Sequence, residues 1–292
     1  MTILLLGAGP RLAWVRSILE PARAQIGTEG TPVRVVEGPP SRELLSSLAA
    51  LPVEALVLVD HFPFAAGPPA DAAATGEAVR GEAQRAVFAV ELARRAERTL
   101  ALEGNDAQAW AARLAGLLPG AELLARPDRP CPPSPGENRN LATPLLSTYL
   151  EPLFAAAARP APLALAWPRE AFLDGDAPGE PLPVTVEVAG RARILAYGPY
   201  LPLPVGHWRA TAFLGFSPDI DKLPFILEAD TGGAVVRGFF EVEHGGIFTL
   251  ELDFRVADAL HPVEMRLISQ DSALEGQVAL IELKLEYVSE LG

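Results

Sequence analysis

The chain has 292 residues, 49% of them hydrophobic and 21% charged, which excludes wholesale disorder and gives room for about two domains. It carries 24 basic against 37 acidic side chains, a formal net charge of −13, and residues 161–292 hold nine basic residues against twenty acids. Nucleic acid and anionic membrane surfaces, which both ask for a basic face, are therefore disfavoured as partners.

The first half alternates two periodicities. Thr2–Leu6 is a continuous apolar run ending at Gly7, the pattern of a parallel strand buried on both faces. A helix is expected from Arg11, with Leu12, Val15, Ile18 and Leu19 on one face. Val33–Glu37 reads as a second strand, and Ser41 as the N-cap of a short helix carrying Leu44, Leu45 and Leu48. Ala55–Asp60 is a third strand, followed by a long helix over Gly76–Arg98 and a fourth strand at Thr99–Glu103. Asn105 or Asp106 caps a helix through Trp110 and Leu114, and Glu122–Ala125 is a short fifth strand. This alternation predicts a doubly wound parallel α/β domain over residues 1–158, for which common folds of this kind suggest the strand order 3-2-1-4-5.

Arg126–Pro144 is a proline-rich loop, Leu141–Ala158 regains helical spacing, and residues 159–183 read as a proline-rich linker. From Val184 the period changes to 2. Strands are expected at Val184–Ala189, Arg191–Tyr197, His207–Phe216, Phe225–Ala229, Ala234–Val242, Ile247–Val256, Val263–Ile268 and Val278–Val288. In the last of these Ala279, Ile281, Leu283, Leu285 and Tyr287 should share a face. Eight alternating strands in residues 184–292 predict an antiparallel β-sandwich of jelly-roll type.

Candidate chemistry lies first at strand ends. Gly7-Ala8-Gly9-Pro10-Arg11-Leu12 follows strand one and opens a helix, where glycines let a phosphate or ribose approach the helix N-terminus. This turn resembles the first nucleotide-binding turn of Rossmann-like dehydrogenases and methyltransferases, although Leu12 stands where the dinucleotide pattern has Gly or Ala. The resemblance implies a nucleotide-type ligand at Gly7, Gly9 and Arg11, with Glu37 on ribose hydroxyls; a nucleotide sugar or S-adenosylmethionine are the cofactors to consider. Asp60 with His61 could act as an acid/base pair, and Asn105, Arg126, Arg129 and Arg139 could bind substrate, although turn and helix caps and solvating charges are the commoner use of such residues.

Cys131, the single cysteine, excludes an intramolecular disulfide framework, and His61, His207, His244 and His261 lack zinc spacing, so no metal is expected. The N-terminal apolar run has no basic segment before it, and no stretch approaches the ~20 apolar residues of a membrane span, which suits a cytoplasmic protein.

In the second half, Trp208 is in phase with core residues, whereas Tyr197, Tyr200 and Phe239 are candidates for stacking on sugar C–H groups. The phrase Tyr197-Gly198-Pro199-Tyr200-Leu201-Pro202-Leu203-Pro204 followed by Gly206-His207-Trp208-Arg209-Ala210 resembles a β-sandwich module attached to bacterial glycosyltransferase-like and surface-polysaccharide proteins. That resemblance implies a carbohydrate setting, with the first domain binding a nucleotide-type donor as a transferase would. The alternatives are a non-catalytic carbohydrate-binding or assembly protein and an S-adenosylmethionine-dependent methyltransferase. Edge strands leave homo-oligomerisation open.

Overall fold

A computed structural model describes residues 2–7, 11–17, 19, 33–36, 40–49, 51–59, 72–102, 107–116, 144–159, 162–220 and 222–291. The chain divides into two compact units. One comprises residues 1–75, 88–142 and 154–161, the other residues 76–87, 143–153 and 162–292.

The first unit contains a four-stranded parallel sheet of β1 (Ile3–Leu6), β2 (Val33–Val36), β3 (Val53–Val59) and β4 (Ala96–Leu102). Its order is β2-β1-β3-β4, not the expected 3-2-1-4-5. The reason is visible in burial. Leu4, Leu5, Leu56 and Val57 are all 0% exposed, so β1 and β3 must both be interior strands and pair with each other. The expected fifth strand at 122–125 lies outside the described residues.

Helices α1 (11–17), α2 (Arg42–Ala49), α3 (Ala72–Ala93) and α4 (Ala107–Ala115) intervene. Ser41 caps α2 as expected, its hydroxyl accepting a hydrogen bond from Leu44 N–H at 3.1 Å. The long helix stops at Ala93 instead of Arg98. Residues 96–98 are good helix formers, but parallel pairing of Ala96–Leu102 with β3 overrides that propensity. Leu12, Trp14, Val15, Trp110 and Leu114 pack with Ile3, Leu5, Val57 and Val59 as one core.

The second unit is an antiparallel sandwich of two sheets. Its strands are β5 (Ala164–Pro168), β6 (Leu173–Asp174), β7 (Val186–Glu187), β8 (Arg193–Pro202), β9 (Gly206–Phe216), β10 (Leu223–Asp230), β11 (Val235–Val242), β12 (Gly246–Val256), β13 (Pro262–Ser269) and β14 (Gln277–Ser289). One sheet has the order β11-β10-β13-β8-β6, the other β12-β9-β14-β5 with β7 also on β14. Phe225, Leu227, Met265 and Leu267 of one sheet and Trp208, Leu214, Leu283 and Leu285 of the other are all buried. Trp208 is fully buried and donates its indole N–H to Pro204 O at 2.8 Å, as its phase predicts.

Three expectations need correction here. The stretch 159–183 is not simply a linker, because β5 pairs with β14 and β6 with β8. Within these two strands the single proline, Pro168, ends β5 at a sheet edge, where a missing N–H breaks no ladder. The strand at 184–189 shrinks to Val186–Glu187, leaving Val184 67% exposed. In β14 a bulge inserts Ile281 between Leu280 and Glu282, so Val278 and Leu280 face inward with Leu283 and Leu285, while Ile281 turns out to solvent.

Before β5 the helix expected at 141–158 is a π-helical turn, Leu146–Leu150, running into α5, Glu151–Ala158. Pro152 supplies the cause. It can neither bond to nor tolerate the carbonyl four residues back, and a wider turn relieves both problems.

Candidate functional site

Of the strand-end candidates, Gly9, Glu37, Asp60, His61, Asn105, Arg126, Arg129 and Arg139 lie outside the described residues. Gly7 sits where β1 meets β3. A Cβ there would lie 2.5 Å from Val59 O, so close strand approach by itself requires glycine. Arg11 is 1% exposed, its guanidinium 5.1 Å from the centroid of the Trp110 ring. It is a core cation, not a free clamp for phosphate. Among the described residues no group of His, Cys, Asp and Glu could hold a metal ion.

The other two candidates, Tyr197 and Tyr200, meet on the outer face of the sheet β11-β10-β13-β8-β6. Strand register builds this face in three rows across four strands, each roughly 14 Å long at the usual strand spacing. The first row is apolar, Ile194, Ile268, Ile226 and Phe239. The second is Tyr197, Arg266, Glu228 and Arg237, and the third Pro199, Glu264, Asp230 and Val235. Phe239 is 65% exposed, Val235 50% and Ile194 39%, which marks the face as an open apolar surface with a charged centre.

Tyr200 reaches the third row through a bulge of β8 and adopts φ 62°, a left-handed conformation costing a non-glycine residue on the order of 1–3 kcal/mol. Its hydroxyl donates to Glu264 Oε1 at 2.8 Å, and its ring meets that of Tyr197 edge-on at 6.1 Å. Tyr197 in turn accepts a hydrogen bond from Gly179 N–H at 3.1 Å.

The charges form one lattice. Arg266 donates to Glu228 Oε1 at 2.6 Å, to Glu264 Oε2, and to Asp230 Oδ2 at 3.5 Å, while Arg237 donates to Glu228 Oε2 at 2.6 Å. Burial pushes the Glu228 carboxyl up, but the hydrogen bonds and charges of Arg237 and Arg266 outweigh it and hold it below the usual range. Burial, then the bond to Glu264, raises the Tyr200 phenol. A carboxylate clamped by two guanidiniums and a phenol that resists ionising are poor proton-transfer groups at neutral pH. The face can stack and hydrogen-bond a ligand in fixed geometry.

The sequence singles out the aromatics as candidates but not the lattice beside them. The available signal was a lone acid, Glu228, in the apolar run Phe225–Ala229, matched by Arg266 in the apolar run Val263–Ile268.

No protein-family model and no curated protein matches the chain. Among solved structures, TmCBM61 in complex with beta-1,4-galactotriose is similar at 11% identity and a TM-score of 0.28, covering 43% of this chain and 88% of that one. A family two carbohydrate esterase from Cellvibrio japonicus is similar at 14% identity and a TM-score of 0.29, covering 45% of this chain and 36% of the esterase. A family 16 carbohydrate binding module is similar at 16% identity and a TM-score of 0.26, covering 41% of this chain and 84% of that one.

Proposed function

We propose that this protein is a non-catalytic carbohydrate-binding protein, and that its sugar contact is the outer face of β8, β13, β10 and β11. One observation carries the reading: Phe239, Tyr197 and Tyr200 flank a lattice of fixed guanidiniums and carboxylates on an exposed sheet face. Apolar rings stack on sugar C–H groups while rigid polar groups meet hydroxyls, the combination a glycan needs. The strained backbone at Tyr200 supports it, since such strain collects at binding sites. Three acids against two arginines on this face favour a neutral sugar over a polyanionic one.

A nucleotide donor in the α/β unit is no part of this reading. It would rest on Gly9 and Glu37, while Gly7 and Arg11 have structural duties of their own.

A glycan array followed by calorimetry on the full chain tests the proposal. Phe239→Ala and Tyr197→Ala should each weaken binding by roughly five- to tenfold, the worth of one stacked ring. Ile247→Ala, 76% exposed on the other sheet, should leave affinity unchanged. A flat array, or a hit indifferent to both aromatic substitutions, would overturn it.

A further inference from the structure

Among the described residues the two sheets end in the edge strands β11 and β6 in one, β12 and β5 in the other. Exposed edges invite pairing with another chain, and proteins blunt them with short length, proline or charge. Three of these edges are blunted so. Strand β6 has two residues, β5 ends in Pro168, and the outward positions of β12 include Glu251, Asp253 and Arg255.

Strand β11 is different. It has eight residues, VVRGFFEV, with neither proline nor lysine and an unbroken register against β10. Its outward side chains are Val235, Arg237, Phe239 and Glu241, all exposed. Such an edge, two apolar and two oppositely charged side chains on an unbroken strand, is long enough to template a partner.

The sequence of the edge selects the partner. A two-fold symmetric contact must be self-complementary, each residue i meeting j while j meets i. In an antiparallel pairing centred on Phe239, Phe239 faces its own copy and Arg237 faces Glu241 twice, once on each side of the axis. Shifting the centre to Gly238 sets Arg237 against Phe239 and Val235 against Glu241, and shifting it to Phe240 sets Phe239 against Glu241. Of these three, only the Phe239 register sets Phe against Phe and Arg237 against Glu241 within the strand, Val235 then falling opposite Glu243, past the end of the partner's β11.

We infer that the protein forms a homodimer through antiparallel pairing of β11 with β11 of a second copy, joining the two five-stranded sheets into one continuous ten-stranded sheet. The side chains of Phe239 stay on the open face, so the two aromatic surfaces become neighbours across the axis. A multivalent glycan could then engage both copies, with an apparent affinity exceeding that of one face without any new contact.

Sedimentation of the full chain over a concentration series tests the dimer, and crosslinking tests its register. In a Cys131→Ser background, Phe239→Cys places two thiols directly opposite at a Cα separation of about 4.5–5.5 Å, within disulfide reach. Oxidation should convert it to a covalent dimer, whereas Val235→Cys, which faces residue 243 of the second copy, should stay uncrosslinked. Glu241→Arg sets Arg237 against an arginine twice and should shift the dimer to monomer while circular dichroism and melting temperature of the monomer hold. A monomer at every concentration overturns the inference. So does a dimer that Glu241→Arg leaves intact and that Phe239→Cys fails to crosslink, because it would use another surface.

Discussion

Replacing Arg266 with alanine is expected to destabilise the sandwich by about 3 kcal/mol, the usual cost of removing one partner from a buried ion pair. Three carboxylates converge on this one guanidinium, and the most buried, Glu228, has a side chain only 3% exposed. Arg237 alone would remain to hold Glu228, and nothing would separate Glu264 from Asp230 directly opposite it. The pH dependence gives a second readout. In the parent protein the Glu228 carboxyl is held below its ordinary value of 4.5, so its contribution is present above that pH and is lost as the pH falls through the folded value. In Arg266→Ala the uncompensated acids bind protons more readily, so the deficit relative to the parent should narrow on acidification. Urea unfolding at neutral and at acid pH measures both. A loss below about 1 kcal/mol at neutral pH, a value typical of surface ion pairs, would show that the lattice is solvated and not structural.

Arg193→Ala should cost about 2–3 kcal/mol, the scale of a charge-assisted hydrogen bond with its partners left unsatisfied. The Arg193 guanidinium chelates the Asp176 carboxylate at 2.7 and 3.0 Å. It also donates to the backbone carbonyls of Glu187 at 2.7 Å, Ala189 at 3.2 Å, Arg191 at 3.3 Å and Val188 at 3.4 Å. A side chain at the start of β8 thereby ties down the irregular segment that follows β7, in which few ladder bonds are available. Arg193→Lys should recover only part of the loss, because a point charge cannot fork across carboxylate and carbonyls together. Hydrogen exchange at residues 187–191 should accelerate before the rest of the sandwich opens. Uniform protection across the sandwich in the alanine variant would refute this local role.

These two arginines also show what the sequence could and could not convey. Strict alternation over Ile247–Val256 and His207–Phe216 made the sandwich legible, as did the in-phase burial of Trp208, because a period of 2 is set locally. The aromatic surface was half legible, since Tyr197, Tyr200 and Phe239 are unusual enough to single out. The lattice between them was not. Arg266 and Glu228 lie 38 positions apart, and each strand alone shows a charge within an apolar run without naming the partner that neutralises it. Likewise, two continuous apolar strands foretold a parallel sheet, but whether β1 pairs with β3 or β4 is decided by packing between distant segments.

The bulge in β14 has a consequence for how the chain can change in length. Ile281 is the extra residue, and the strand's partners on β9 step directly from Leu280 to Glu282. If its codon were lost, the remaining Val278-Ala279-Leu280-Glu282-Leu283-Lys284-Leu285 would alternate inward and outward without interruption. Every core side chain would keep its place, and the chain would surrender only a side chain that is 48% exposed. A one-residue deletion in the middle of a central strand ordinarily turns its core face to solvent. At Ile281 it would instead straighten the strand, so this interior position can absorb the length variation that proteins otherwise confine to loops.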